Sequence, residues 1–260
     1  MAKRLHAPRQ SALLLMALLL WPAVSFAQLN VIISGGFRAA YLELLPDFER
    51  ATGIKVNTTF GGSQGTGPNT IGAQLRRNVP ADAVIMNRAG LNELIAEGRI
   101  LARTDVDLAE TPLAIAVRAG TPRPDISTPE AFKQTLLRVK SVAIDSSTTG
   151  IYVTTTLFPR LGIADVLAKK TSAAPVDVVA SGEVEIAMRP VSELLPVKGI
   201  DIVGNIPEEL QHVSIFSGAV VADAKHADAS RKLLAFLTSD AALRSIAKSG
   251  MRPVSTHSAR

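Results

Sequence analysis

The sequence predicts an α/β protein built as two lobes, and three observations carry that prediction. Short β-branched runs alternate with segments of helical periodicity from Asn30 to Gly98. Loops rich in Gly, Ser and Thr fall where predicted strands hand over to helices. A Gly/Pro-rich turn, "RAGTPRPDISTPE", then interrupts the pattern before a second alternating set begins.

Taken in order, "NVIISGG" reads as a strand closed by glycines. "FRAAYLELLPDFERATG" places Phe37, Tyr41, Leu44, Leu45 and Phe48 on one helical face, with Gly53 as the stop. Pro46 inside that segment predicts a kink or a break. "IKVNTTF" is the next strand, and the loop "GGSQGTGPNT" leads into the helix "NTIGAQLRRN". "ADAVIMN" is a third strand, and "AGLNELIAEGRI" is a short helix ended by Gly98. This βαβαβα order implies a mostly parallel, doubly wound sheet, with ligands held outside the carboxyl ends of the strands.

The second set opens with a strand at Leu113–Val117. The helix "TPEAFKQTLLRV", the strand "SVAID", the loop "SSTTG" and the helix "IYVTTTLFPRLG" follow. "VDVVASGEVEIAMRP" and "IDIVGNIP" read as further strand material. "HVSIFSGAVVA" alternates over a long run and returns the chain to the first lobe, and "DASRKLLAFLTSDAALRSIAKSG" supplies the closing helices.

The N-terminus reads as a secretory leader. "MAKRLHAPRQ" is basic with no acid, "ALLLMALLLWPAV" is an apolar run, and "SFA" ends it with small residues at Ser25 and Ala27. Thirteen apolar residues fall short of the roughly 20 that span a bilayer, so cleavage after Ala27 and a periplasmic protein are expected. Lys3, Arg4 and Arg9 leave with the leader, so the 28 basic residues become 25 against 23 acidic ones. That near-balance excludes a nucleic-acid binder that works by bulk charge. The chain has no cysteine, which removes disulfides and thiolate metal sites, and no His/Asp/Glu spacing suggests a metal.

The chemistry-bearing motifs are three neutral loops: Ser34-Gly35-Gly36, Gly61–Thr66 and Asp145–Gly150. Backbone N–H groups, hydroxyl donors and a helix dipole at such junctions can hold an anion without a full positive charge. No Gly-Lys-Ser/Thr, no Gly-x-Gly-x-x-Gly and no Gly-x-Ser-x-Gly is present, which speaks against nucleotide binding and a serine-hydrolase elbow. Arg88, Arg118 and Arg189 each end a strand-like run, where a guanidinium can grip a carboxylate with two parallel bonds. Tyr41 and Tyr152 read first as core aromatics, with Tyr152 close enough to Gly150 to approach a cleft.

Several blocks resemble the periplasmic molybdate-binding proteins in the same order along the chain. They are "PADAVIMNRAGLNELIAEGRI", "IYVTTTLFPRLGI", "GEVEIAMRPVSELLPVKGIDIVGNIPEE" and "ASRKLLAFLTSDAALRSIAKSGMRPV". The resemblance implies a type II periplasmic binding protein fold: two α/β lobes, a central cleft and two hinge crossovers near Leu113–Arg118 and Val213–Val221. Residues 1–27 would be the leader, 28–112 and 213–260 the first lobe, and 113–212 the second.

Carried onto this sequence, the family's oxyanion donors correspond to Ser34 with Gly35, Ser63, and the lobe-two helix start at Thr148, Thr149 and Gly150. Where molybdate binders usually carry a donating Tyr, this chain has Arg189, which suits a carboxylate fork. An organic di- or tricarboxylate is therefore the expected ligand. Two readings follow: a monomeric transport receptor that hands its ligand to an ABC permease, or an aconitate isomerase, an enzyme similar to this fold. The isomerase needs a group to move an allylic proton, for which Tyr152, Asp145 or a lysine in the cleft are the candidates. Neither reading calls for a cofactor or a metal.

Overall fold

The computed structural model describes residues 28–254, so the expected leader and the last six residues, with His257, lie outside the described residues. The chain begins with β1 (Gln28–Ile33), a 3-10 turn at Gly35–Phe37 and α1 (Arg38–Thr52). Tyr41, Leu44 and Phe48 bury the inner face of α1, each worth about 2 kcal/mol of apolar transfer. Gly53 ends the helix in the left-handed region, at φ 71°, where a Cβ is disfavoured. Pro46 does not break the helix, which runs through it as one element. A proline removes one main-chain bond, and packing of α1 on its sheet outweighs that loss.

β2 (Lys55–Phe60), α2 (Ile71–Arg76), β3 (Ala83–Asn87), α3 (Arg88–Ala96) and β4 (Val106–Thr111) complete the first pass. The second pass is β5 (Leu113–Arg118), α4 (Pro129–Arg138), β6 (Val142–Ile144) and α5 (Thr148–Tyr152). After α5 the helix loosens into one π-helical turn at Val153–Leu157 and closes as α6 (Phe158–Leu161). Then come α7 (Ala164–Ala168), β7 (Thr171–Ala173), α8 (Asp177–Ser181), β8 (Ile186–Pro190), α9 (Val191–Leu194) and β9 (Ile200–Asn205). The chain ends with β10 (Ser214–Val220), α10 (Ala227–Leu237), α11 (Asp240–Lys248) and β11 (Arg252–Pro253). The segment "VDVVA", expected as strand, is the helix α8. Gly182 at φ 85° caps it, and Val179 packs into the second lobe's core, so tertiary burial overrides the β-branched preference.

The strands form two sheets. The first has the order β11-β4-β10-β3-β1-β2 and the second β7-β6-β8-β5-β9. Both are mixed rather than mostly parallel. β1 pairs in parallel with β2 and β3, but β10 lies antiparallel between β3 and β4. In the second sheet β5 runs antiparallel to both β8 and β9. The cause is the threading: a strand reached by crossing from the other lobe need not follow the right-handed crossover that makes neighbours parallel.

The chain leaves the first sheet at Pro112, between β4 and β5, and returns between β9 and β10. Gln211 fastens the two crossings together. Its Oε1 accepts from Leu113 N at 2.7 Å, and its Nε2 donates to Leu113 O at 3.1 Å.

Asp82, buried just before β3 in the middle of the first sheet, accepts from Asn30 N and His226 N at 2.9 Å each, tying β1 to the approach to α10. Asp82→Ala leaves both donors without a partner and is expected to lower stability by about 2 kcal/mol in denaturant unfolding.

Candidate functional site

The two sheets point their strand ends at a cleft of about 390 Å³. From the first lobe it is lined by Ser34 and Gly35 after β1, Gly61 to Ser63 after β2, and Asn87 at the end of β3. Phe216 of β10 forms its floor, beneath Gly36. A Cβ on Gly36 would lie 2.0 Å from the Phe216 ring, so only glycine lets this loop settle on that floor. From the second lobe come the loop Asp145–Thr149, Pro190 at the end of β8, and Glu193 on α9.

The lining is rich in donors that have nothing to donate to. Ser34 Oγ and Thr148 Oγ1 are buried and make no hydrogen bond. Ser63 Oγ accepts from Asn87 N at 2.9 Å, which leaves its hydroxyl proton free for the cleft. Buried hydroxyls without acceptors cost free energy unless a ligand supplies one, so this cleft is built for an acceptor-rich guest.

The lobes already meet across one edge of the cleft. Gln64 N donates to Ser147 Oγ of the other lobe at 3.0 Å. Gly65, at φ 105°, lies so close to the opposite loop that a Cβ would stand 2.6 Å from Ser146 O.

Of the residues expected from sequence, Ser34, Gly35, Ser63, Thr148 and Thr149 are brought together in the cleft lining. Gly150 sits one step behind: its N–H donates to Asp145 Oδ1 at 3.0 Å, and a Cβ there would fall 1.9 Å from Asp145 O. Arg189 is also behind the wall and buried, and its Nη1 makes no hydrogen bond among the described residues although it lies close to a carboxylate. Its Nη1 lies 3.1 Å from Asp145 Oδ2, its Nη2 donates to Ala174 O, and its Nε is 3.9 Å from Glu193 Oε2.

Tyr152 lies outside the cleft lining. Its hydroxyl donates to Leu210 O at 2.9 Å and its ring stacks on His212 at 4.4 Å, beside the return crossing. Burial pushes the His212 imidazole below its ordinary pKa. Arg88 is spent on Asp105 and Asp107, and Arg118 is exposed near Gly182. Among the described residues no group of three His, Cys, Asp or Glu side chains is placed to hold a metal.

Two cleft residues escaped the sequence reading. Arg38, at the start of α1, lines the cleft mouth and lies over the Phe60 ring at 4.2 Å from its centroid, with no ion pair among the described residues. Its position in the first turn of a helix gave no pattern to single it out. Glu193 is the other. It lines both this cleft and a second cavity of about 460 Å³ bounded by Arg38, Ala39, Val176, Arg189 and Ser192. Its Oε1 stands 4.0 Å from the point where a Gly35 Cβ would be, so this lobe-two carboxyl reaches the first loop of lobe one.

The two carboxyls differ in their surroundings. Asp145 accepts from Ser147 N at 2.7 Å and from Gly150 N, and also faces Arg189. Among the described residues Glu193 has no hydrogen-bond donor. Its pKa is pushed up to about 7, first by its removal from water and then by the negative Asp145, with Arg189 opposing.

The profile of the bacterial extracellular solute-binding proteins matches residues 29–252. A curated aconitate isomerase of Pseudomonas sp is 40% identical over 258 residues, covering 98% of each chain. Among solved structures, the periplasmic molybdate-binding protein of Azotobacter vinelandii superposes with a TM-score of 0.69 at 16% identity, over 86% of this chain and 98% of the other. The sulfate-binding protein SubI of Mycobacterium tuberculosis H37Rv gives 0.65 at 18% identity, over 88% of each chain.

Removing Arg189 leaves Asp145 and Glu193 without their buried counter-charge, so Arg189→Ala is expected to cost about 3 kcal/mol in unfolding free energy, read by denaturant titration. Glu193 binds its proton more tightly when folded than when unfolded. The stability it gives is therefore whole below its ordinary value of 4.5 and is lost as pH rises through about 7. In thermal melts Glu193→Gln should match the wild type near pH 4 and exceed it by a margin that opens up to about 7 and then holds.

Proposed function

Because the chain belongs to the bacterial extracellular solute-binding protein family, we propose that it closes its two lobes on an organic tricarboxylate and interconverts cis- and trans-aconitate. The single observation that carries catalysis over capture is the Glu193 carboxyl in the cleft wall. A receptor for an anion loses affinity by lining its site with an acid. An enzyme that moves a proton near neutral pH needs such an acid, with its pKa close to the working pH.

The roles divide by chemistry. Ser34, Ser63, Thr148 and Thr149 donate to substrate carboxylates from opposite lobes, with Gly35 letting the chain approach closely. Arg38 supplies the free guanidinium at the mouth, and its planar fork matches a carboxylate. Arg189 acts on the site through Asp145 and Glu193 rather than on the ligand. Closure takes the substrate out of water, where each of these contacts strengthens. The reaction moves one proton within an allylic system, so no electron is exchanged and no cofactor is called for. The 40% identity along nearly the whole chain supports this assignment.

The family resemblance supports a second reading, a periplasmic receptor that captures a carboxylate and passes it to an ABC permease. Here the shared feature is the set of buried hydroxyls without acceptors, which serves capture as well as catalysis.

The deciding experiment is proton NMR of purified protein incubated with cis- or trans-aconitate. Conversion toward one common ratio from both sides is expected, and binding without conversion would leave the receptor. In calorimetry, molybdate and sulfate should bind far more weakly than the tricarboxylate. Arg38→Ala should weaken trans-aconitate by about 2 kcal/mol through loss of a charge-assisted pair. Gly65→Ala should weaken it and lower the ligand-free melt as well, because φ 105° is strained for alanine and the added methyl would stand 2.6 Å from Ser146 O.

A further inference from the structure

We infer that Glu193 is the catalytic acid–base, the one group that takes the proton from the substrate and returns it, while Asp145 and Arg189 are positioning residues; this rests on the aconitate reading above. Among the described residues the carboxyls that line the cleft are Asp145 and Glu193, and they differ in how the protein engages them. Asp145 holds the loop before α5 together. It accepts from Ser147 N and Gly150 N and faces Arg189 Nη1 at 3.1 Å, so its oxygens are committed to the turn that presents Thr148 and Thr149. Glu193 accepts no hydrogen bond from the protein and meets Arg189 at 3.9 Å, a separation at which the guanidinium steers the carboxyl without holding its lone pairs.

Among the described residues three charged groups face Glu193, of which Asp145 and Arg189 act on its proton. Asp145 lies across the loop after β6, Arg189 on the strand before α9, and Arg38 on α1 shares both cavities with it. Burial and Asp145 hold the proton on, whereas Arg189 draws it off, leaving the group poised near neutrality. Asp145 thus acts on its neighbour through its charge, raising the proton affinity of Glu193.

The step balances with no other reactant. Glu193 as carboxylate removes a methylene proton of aconitate, and that C–H bond breaks. The electron pair spreads over the allyl unit and onto the adjoining carboxylate, whose charge Arg38 and the cleft hydroxyls face. The protonated Glu193 then delivers the proton to the former vinylic carbon, a new C–H bond forms and the double bond moves one position. Glu193 ends as it began, ionised. Its place on α9 suits this traffic, since it faces the substrate cleft on one side and the second cavity on the other.

The test is Glu193→Gln in the full mature chain, beside the wild type, with cis-aconitate in deuterated buffer. Wild type should form trans-aconitate whose methylene group largely keeps the proton transferred from the substrate. Glu193→Gln should lose about 10²- to 10⁴-fold in kcat, the usual share of a general base. Its affinity for trans-aconitate by calorimetry should stay within tenfold of wild type or tighten. Glu193→Asp, whose carboxyl is withdrawn by one methylene, should recover part of the rate. Wild-type kcat/KM should rise with pH through about 7 as Glu193 ionises. Full turnover in Glu193→Gln overturns the assignment while leaving the aconitate reading intact. A flat wild-type profile between about pH 5 and 9 does the same. A wild type that binds but never converts aconitate overturns both.

Discussion

A guanidinium buried beneath two carboxyls is the constraint on which the site depends. Arg189 ends β8 inside the second lobe, where an unpaired cation would cost several kcal/mol. Its neighbours are therefore fixed: Asp145 from the loop after β6, the carbonyl of Ala174 after β7, and Glu193 one turn along α9. Each lies on a different element, so satisfying one cation aligns three loops at the strand ends. Asp145 then carries the alignment onward through Ser147 N and Gly150 N to the start of α5, where Thr148 and Thr149 face the cleft. The donors in the cleft lining are thus positioned by a charge buried behind them.

Lobe closure rests on a second set of close approaches. Gln211 pins the two crossings to each other, so the lobes can turn about one short axis. Beside that axis Ser192 N approaches Thr111 Oγ1 at 3.4 Å, and a Cβ on Gly250 would fall 2.4 Å from Leu195 Cδ1. The segment α9 to Leu195 is thus packed on the first lobe, and Glu193 travels with it. At the far edge the Gln64–Ser147 bond and the bare backbone of Gly65 allow the loops to touch. On the reading of a hinged clamp, a small rotation about the pinned crossings would move the hydroxyls of one lobe relative to those of the other and take the ligand out of water.

The electrostatics separate this cleft from a simple anion trap. Neutral hydroxyls and one free arginine attract carboxylates, while Asp145 and Glu193 oppose them. Evolution of a receptor for affinity alone gives no reason to keep an acid there without a donor. The same acid, raised to about 7, is matched to proton transfer at neutral pH. Catalysis thereby explains a feature that binding leaves as a penalty.

Much of this was legible in the amino-acid sequence. The alternation of strands and helices, the loops at Ser34, Ser63 and Thr148, and the ordered blocks that resemble molybdate binders fix the two-lobed α/β class, because periodicity and turn chemistry are local properties. Local signals misjudged α8 and the course of α1 through Pro46, where packing decided against propensity. They also singled out Arg189 as the ligand's cation and Tyr152 as a catalytic candidate. Tertiary structure put Arg189 under Asp145 and Glu193, put Tyr152 against Leu210 and His212, and left Arg38 free at the mouth. Which charge is spent inside the protein and which remains for a ligand depends on partners distant along the chain: Asp145 and Arg189 meet only once β6 and β8 are paired. A sequence states the charges it carries; the fold decides which of them cancel.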